Sequence, residues 1–208
     1  MAPFTTLDDF VERARDRLDP LMGPERLPEG GDIDFLDDAH IHAIRPAGVL
    51  VGLIARPEGP TTLLTLRPQT MAKHPGQVAF PGGKVDPIDA DEVAAALRES
   101  HEEVGTDPEH VELVARGQPY LTGTGFRIVP VIGLLPADFE PVPCPTEVAA
   151  VFETPLEFLM NPKNHDRQSG TWRGQTRHYY QMPHGGFRIW GVTAGIIRAL
   201  WEELYASD

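Results

Sequence analysis

The stretch Pro81-Gly82-Gly83-Lys84-Val85-Asp86-Pro87-Ile88-Asp89-Ala90-Asp91-Glu92-Val93-Ala94-Ala95-Ala96-Leu97-Arg98-Glu99-Ser100-His101-Glu102-Glu103-Val104-Gly105 decides how this chain is read. Its Ala-rich part predicts a helix over Asp91–Val104, stopped by Gly105, since glycine just past a helix end takes up the backbone turn that other residues resist. At about 100° per residue, Val93, Ala96, Leu97, Ser100 and Val104 share one mostly apolar stripe. Glu99, Glu102 and Glu103 cluster away from it. Glu99 and Glu103 repel each other four residues apart, and Glu102 and Glu103 lie where the helix dipole already disfavours negative charge. The penalty is about 1–2 kcal/mol, relieved locally only by Arg98, and a bound divalent cation removes it. The alternative is a solvated acidic face.

The residues just before the helix favour the cation. Phe80-Pro81-Gly82-Gly83 supplies adjacent glycines, which allow close backbone approach and can aim carbonyls at a metal. Clustered carboxylates, a backbone carbonyl and water are the oxygen donors that Mg²⁺ or Mn²⁺ prefers, with substrate phosphates completing the shell.

Working outward, 208 residues with 41% hydrophobic content predict one globular domain over 1–208, an amino-terminal helix and connection in 1–46 and the core in 47–208. Eighteen Lys+Arg against 31 Asp+Glu leave a formal charge of -13, which argues against nucleic acid or an anionic membrane as partner. The lone Cys144 excludes an intramolecular disulfide framework and a multi-cysteine zinc site. With no membrane-length apolar run and no secretory pattern at the amino terminus, the expected location is the cytoplasm.

Thr6 and Asp9 open a predicted amphipathic helix carrying Leu7, Phe10, Val11, Ala14 and Leu18. Asp19 to Asp38 reads as an irregular connection. Strands are expected at Gly48–Ala55 and Thr61–Arg67 around a turn at Arg56–Pro60, at Val78–Phe80, at Val111–Ala115 and at Val148–Phe152. Ile128–Leu135 is expected at an edge or a bulge because of Pro130. Pro155–Met160 predicts a helical turn, and Asn161–Arg177 carries no clear pattern. Thr193, Ile196, Ile197, Leu200, Trp201 and Leu204 mark a closing helix, with Trp190 and Trp201 expected as core aromatics. Strands and helices interleave without a regular βαβ rhythm, which predicts an α+β class with a mixed sheet flanked by helices.

Arg98-Glu99-Ser100-His101-Glu102-Glu103-Val104-Gly105, with Gly83 before it, resembles the signature of the Nudix hydrolase family. Three positions depart from that pattern. Asp89 stands where the family has its first glutamate, one residue farther from Arg98 than usual, and Glu92 rivals it as a partner for Arg98. Ser100 and Thr106 replace hydrophobic residues. Leu63-Leu64-Thr65-Leu66-Arg67 followed by Gly76-Gln77-Val78-Ala79-Phe80-Pro81-Gly82-Gly83 resembles the motif upstream of this signature in coenzyme A pyrophosphatases. That motif expects a small residue at Pro68 and an arginine at Ala72, beside which Lys73 stands. The likeness continues through Tyr120–Phe126, Glu147-Val148 and Phe187–Gly191.

The resemblance implies a Nudix fold, an α/β/α sandwich with a loop-helix-loop catalytic motif. It also implies Mg²⁺- or Mn²⁺-dependent hydrolysis of a small nucleotide substrate, coenzyme A or an acylated form, to 3′,5′-ADP and (acyl-)4′-phosphopantetheine. ADP-ribose, reduced nicotinamide dinucleotide and dinucleoside polyphosphates are the rival substrates, and a non-catalytic nucleotide sensor is the rival class. The expected metal ligands are Glu99, Glu102, Glu103 and the carbonyl of Gly82, with Arg98 orienting the carboxylates. Glu102 and Glu147 are the candidates for general base. Arg67, Lys73, His74 and Gly83 are expected at the substrate. Related folds are commonly homodimers, although no segment marks an interface.

Overall fold

The computed structural model describes residues 6–22, 30–31, 44–71, 74–172 and 174–206. Helix α1 (Leu7–Arg17) starts at Thr6, whose hydroxyl accepts from the Asp9 amide as the sequence predicts. Strand β1 (Gly30–Gly31) is followed by a long hairpin of β2 (Arg45–Arg56) and β3 (Gly59–Leu66). The short strands β4 (Val78–Ala79) and β5 (Gly82–Lys84) precede helix α2 (Glu92–Val104). Next come β6 (Glu112–Arg116), β7 (Tyr120–Leu121), β8 (Phe126–Leu135), β9 (Ala150–Pro155) and the helical turn α3 (Leu156–Leu159). Strands β10 (Asp166–Trp172), β11 (Gln175–His184) and β12 (Phe187–Trp190) lead into helix α4 (Val192–Tyr205).

Among the described residues, nine strands form one mixed sheet in the path β1-β7-β8-β2-β3-β4, with β5, β6 and β9 attached to β2, β8 and β3. Its spine is the parallel pairing of β2 with β8, Arg45 opposite Phe126 through Ile54 opposite Leu135. Two parallel strands at the centre require a crossover, and α2 lies within it. Along β2 the side chains alternate between two cores. Leu50 and Ile54 join Val93, Ala96 and Val104 of α2, whereas Val51 and Leu53 join Phe10 of α1 and Ile197 and Leu200 of α4. The sheet is thus held between helices, as expected.

Two expectations are corrected, the edge position of Pro130 and the place of Trp190 in the core. The strand holding Pro130 is central, not an edge: β8 pairs β2 on one side and both β6 and β7 on the other. Pro130 falls in the gap between those two short partners, where its carbonyl accepts from the Gly117 amide and its missing donor interrupts no ladder. The polar segment beginning at Asn161 contains a 3-10 turn (Pro162–Asn164) and then β10, which belongs with β11 and β12 to a separate three-stranded antiparallel sheet. Met182 and Ile189 of that sheet are fully buried against α4. Trp201 packs on this core, while Trp190 stands outside it, edge-on to Tyr179 and under the Arg188 guanidinium.

Candidate active site

Helix α2 is capped at both ends by its own sequence. The Asp91 carboxylate accepts from the Ala94 amide, and Gly105 adopts φ 74° at the carboxyl end. The helix lies so close to β2 that a Cβ on Gly48 would come within 1.9 Å of the Glu92 carbonyl oxygen. On the neighbouring strand, a Cβ on Gly83 would lie 2.6 Å from the Glu99 carboxyl carbon. Both glycines therefore act by leaving room, one for the helix and one for the Glu99 carboxylate.

Arg98 holds the acidic face in register. Its Nε and Nη2 each donate at 2.9 Å to the two oxygens of Asp89, and its Nη1 donates to Glu99 at 3.0 Å and to Glu102 at 3.2 Å. The paired hydrogen bonds from Arg98 hold the Asp89 carboxyl below its ordinary range. Asp89 is thus the partner of Arg98, and the rival Glu92 pairs with Arg127 instead. The two hydroxyl residues that replace hydrophobic ones also find each other, Ser100 Oγ and Thr106 Oγ1 lying 2.9 Å apart in a buried pair.

Glu99, Glu103 and Glu147 form the centre. Each offers a carboxylate oxygen, and the three oxygens lie within 4.8 Å of one another. Glu147 arrives from a loop that hangs on the end of α2: the Val142 amide donates to the Val104 carbonyl and the Cys144 amide to the Glu103 carbonyl, both at 2.9 Å. These bonds satisfy carbonyls that a helix end leaves open. Glu103 is only 3% exposed, its Oε2 accepts from the Gly82 amide at 3.2 Å, and Arg67 stands 3.9 Å from its other oxygen. Burial pushes its carboxyl up to about 7, beyond what the Gly82 bond and Arg67 recover. Desolvation raises Glu99 as well. Glu99 and Glu103, crowded together and desolvated with Glu147 facing them, fit a hard divalent cation, which takes the place of the proton that burial favours on Glu103.

The cavity in front of this trio has a volume of about 390 Å³. Gly83, Arg67 and His74, expected at the substrate, line it, together with Gly82. His74 holds a left-handed backbone, φ 55°, with its Nδ1 3.1 Å from Gln77 Oε1. Lys73 lies outside the described residues. Glu102 is not brought to the trio; its side chain is 52% exposed and turned to Arg98. Glu147 is drawn in by its loop's contacts with the end of α2, far earlier in sequence, of which no local pattern gives notice. Lys84 and Gln77 also line the cavity, and the sequence marks neither as a site residue.

A family model described as the NUDIX domain matches residues 45–172. The chain belongs to the Nudix family. Two relatives share the description uncharacterized Nudix hydrolase NudL. The one from Enterobacter sp. (strain 638) is 42% identical over 195 residues, 94% of this chain and 93% of its own. That of Cronobacter sakazakii is 44% identical over the same shares. Among solved structures, the Nudix hydrolase RenU of M. smegmatis is 24% identical, with a TM-score of 0.45 over 54% of this chain and 71% of its own. As a Nudix hydrolase the protein acts on phosphoric anhydrides of nucleoside diphosphate derivatives, a class of enzyme that works with divalent metal ions. No helix among the described residues is long and apolar enough to cross a membrane.

Proposed function

We propose that the protein hydrolyses the diphosphate bridge of coenzyme A or an acyl-coenzyme A, giving 3′,5′-ADP and (acyl-)4′-phosphopantetheine. One observation carries this reading. Arg67 and Gln77, which belong to the residues resembling the coenzyme A pyrophosphatase motif, line the same cavity as Glu99, Glu103 and Glu147, and His74 lies between them in sequence and lines it too. A guanidinium there offers a bidentate fork to the 3′-phosphate that distinguishes coenzyme A from simpler ADP derivatives.

In this reading Glu99, Glu103 and the Gly82 carbonyl hold Mg²⁺ or Mn²⁺, with Glu102 kept by Arg98 at the exposed rim of the same face. When bound, the cation neutralises diphosphate charge and lowers the pKa of water at the site. Glu147, facing the two ligands from its own loop, accepts the proton as water attacks phosphorus. The new P–O bond forms as the anhydride P–O bond breaks, and the second phosphate leaves as an anion. Arg98 orients carboxylates and touches no substrate.

The test is a panel of coenzyme A, acetyl-coenzyme A, ADP-ribose, reduced nicotinamide dinucleotide and diadenosine polyphosphate with Mg²⁺ or Mn²⁺, resolved by chromatography. Coenzyme A or its acyl form is expected to give the highest kcat/KM; a higher value on any other member overturns the substrate assignment. Binding of the whole panel without turnover of any member would mark a sensor instead. Glu147→Gln should lower kcat by about 10²–10⁴-fold while Mn²⁺ affinity is kept, whereas Glu103→Gln should lose Mn²⁺ binding as well. Loss of Mn²⁺ binding in Glu147→Gln would make Glu147 a ligand and end its role as base.

A further inference from the structure

The cavity continues away from the carboxylates along one face of the mixed sheet. Gly82 pairs with Val49, Lys84 and Ile128 both pair with Ala47, and Phe126 pairs with Arg45. Side chains at alternate positions share a face, and Val49, Ala47, Ile128 and Phe126 all line the cavity. From Val49, beside Gly82, four residues of strand lead to Arg45, a distance of about 13 Å. This length suits a ribose and a base extending from a diphosphate held near Gly82.

At the far end stands a built aromatic platform. The Arg45 guanidinium lies over the Phe126 ring, its central carbon 3.9 Å from the ring centroid. Arg45 is pinned there by Nη2 donating to the Thr124 carbonyl at 3.0 Å and by its own amide donating to Gly125 at 3.0 Å. The Phe126 amide in turn donates to Thr122 Oγ1, which lies 3.0 Å from Thr124 Oγ1. Phe126 lines the cavity and Arg45 does not; the guanidinium occupies one side of the ring, and the other side is the one on which a base would stack. A cation behind the ring draws π density toward itself, which makes the open side a better partner for an electron-rich purine than for a cationic ring.

We infer that Phe126, backed by Arg45, is the nucleobase platform of this enzyme and selects substrates that carry a purine. The inference rests on the nucleotide reading proposed above, though not on the identity of the group beyond the diphosphate. Phe126 is then a specificity-determining residue, and Arg45 positions it.

AMP and ribose 5-phosphate, titrated separately into the Mg²⁺-loaded protein by calorimetry, isolate the base. Phe126→Leu should weaken AMP about 10-fold or more and leave ribose 5-phosphate unchanged, and Phe126→Trp should keep AMP binding. Arg45→Met, which leaves the ring in place, should weaken AMP a few-fold in the same selective way and covers the case in which Phe126→Leu fails to fold. Equal losses for both ligands, or no loss for AMP, would overturn the platform. If coenzyme A is not hydrolysed and AMP still shows the selective loss, the substrate assignment falls and the platform stands.

Discussion

Glu103 shows how one residue ties chemistry to stability. Its carboxyl is raised from 4.5 to about 7 by burial, so the folded chain without metal holds a proton that the unfolded chain has released. Between those two values unfolding liberates a proton, and stability falls as pH rises; below 4.5 both states are protonated, and above about 7 both are ionised. Glu99 is shifted in the same direction. Asp89, held low by Arg98, acts oppositely, but its contribution is lost only below the ordinary aspartate range. The metal-stripped protein should therefore lose roughly 3 kcal/mol, or about 6–12 °C in Tm, between pH 4.5 and 7.5. Saturating Mg²⁺ should flatten that slope by taking the place of the proton. A melting series with chelator and with Mg²⁺ checks both; parallel curves would show that Glu103 is not under the cation.

At the level of elements, α2 was legible because its signals are local, an Ala-rich apolar stripe and a glycine stop; the structure adds that Asp91 stands outside the helix as its cap. The strand around Pro130 was misread because the rule against proline in central strands assumes a continuous neighbour, and here the neighbour changes from β7 to β6 at that point. The β10–β12 sheet was not legible at all, since its polar, half-exposed strands acquire a buried side only once α4 covers Met182 and Ile189. The contact between β5 and α2 makes a direct prediction. Gly83→Ala places a methyl 2.6–2.8 Å from the Glu99 carboxylate, so the carboxylate must move. Hydrolysis should drop by about two orders of magnitude, with Tm changed by only a few degrees, as read from kcat and a thermal melt on one preparation. Retained activity would mean that Glu99 has room to yield and does not need its observed position.

Across the whole molecule, α1 closes the larger core. Phe10 and Ala14 are fully buried with Ile197 and Leu200 of α4, and Arg13 and Arg17 both donate to the Leu204 carbonyl near the end of that helix. Neither Phe10 nor Ala14 lines the cavity in front of the carboxylate trio, so damage at this end of the core should appear in stability and not in chemistry. Phe10→Ala is expected to cost about 3–5 kcal/mol in urea denaturation while kcat per folded molecule at low temperature stays within two-fold. A fall in kcat without a fall in stability would place α1 in the working of the site.

Read by itself, the amino-acid sequence determined the acidic helix with its glycine stop, the closing apolar helix and the mixed α+β character. All of these are written in residues a few positions apart. The folded structure alone decided that Asp89 and not Glu92 clasps Arg98, that Glu147 rather than Glu102 joins Glu99 and Glu103, and that Pro130 is tolerated at the centre of a sheet. Those outcomes depend on which distant segments meet, and such meetings are set by packing and backbone pairing between parts of the chain whose local patterns do not refer to one another.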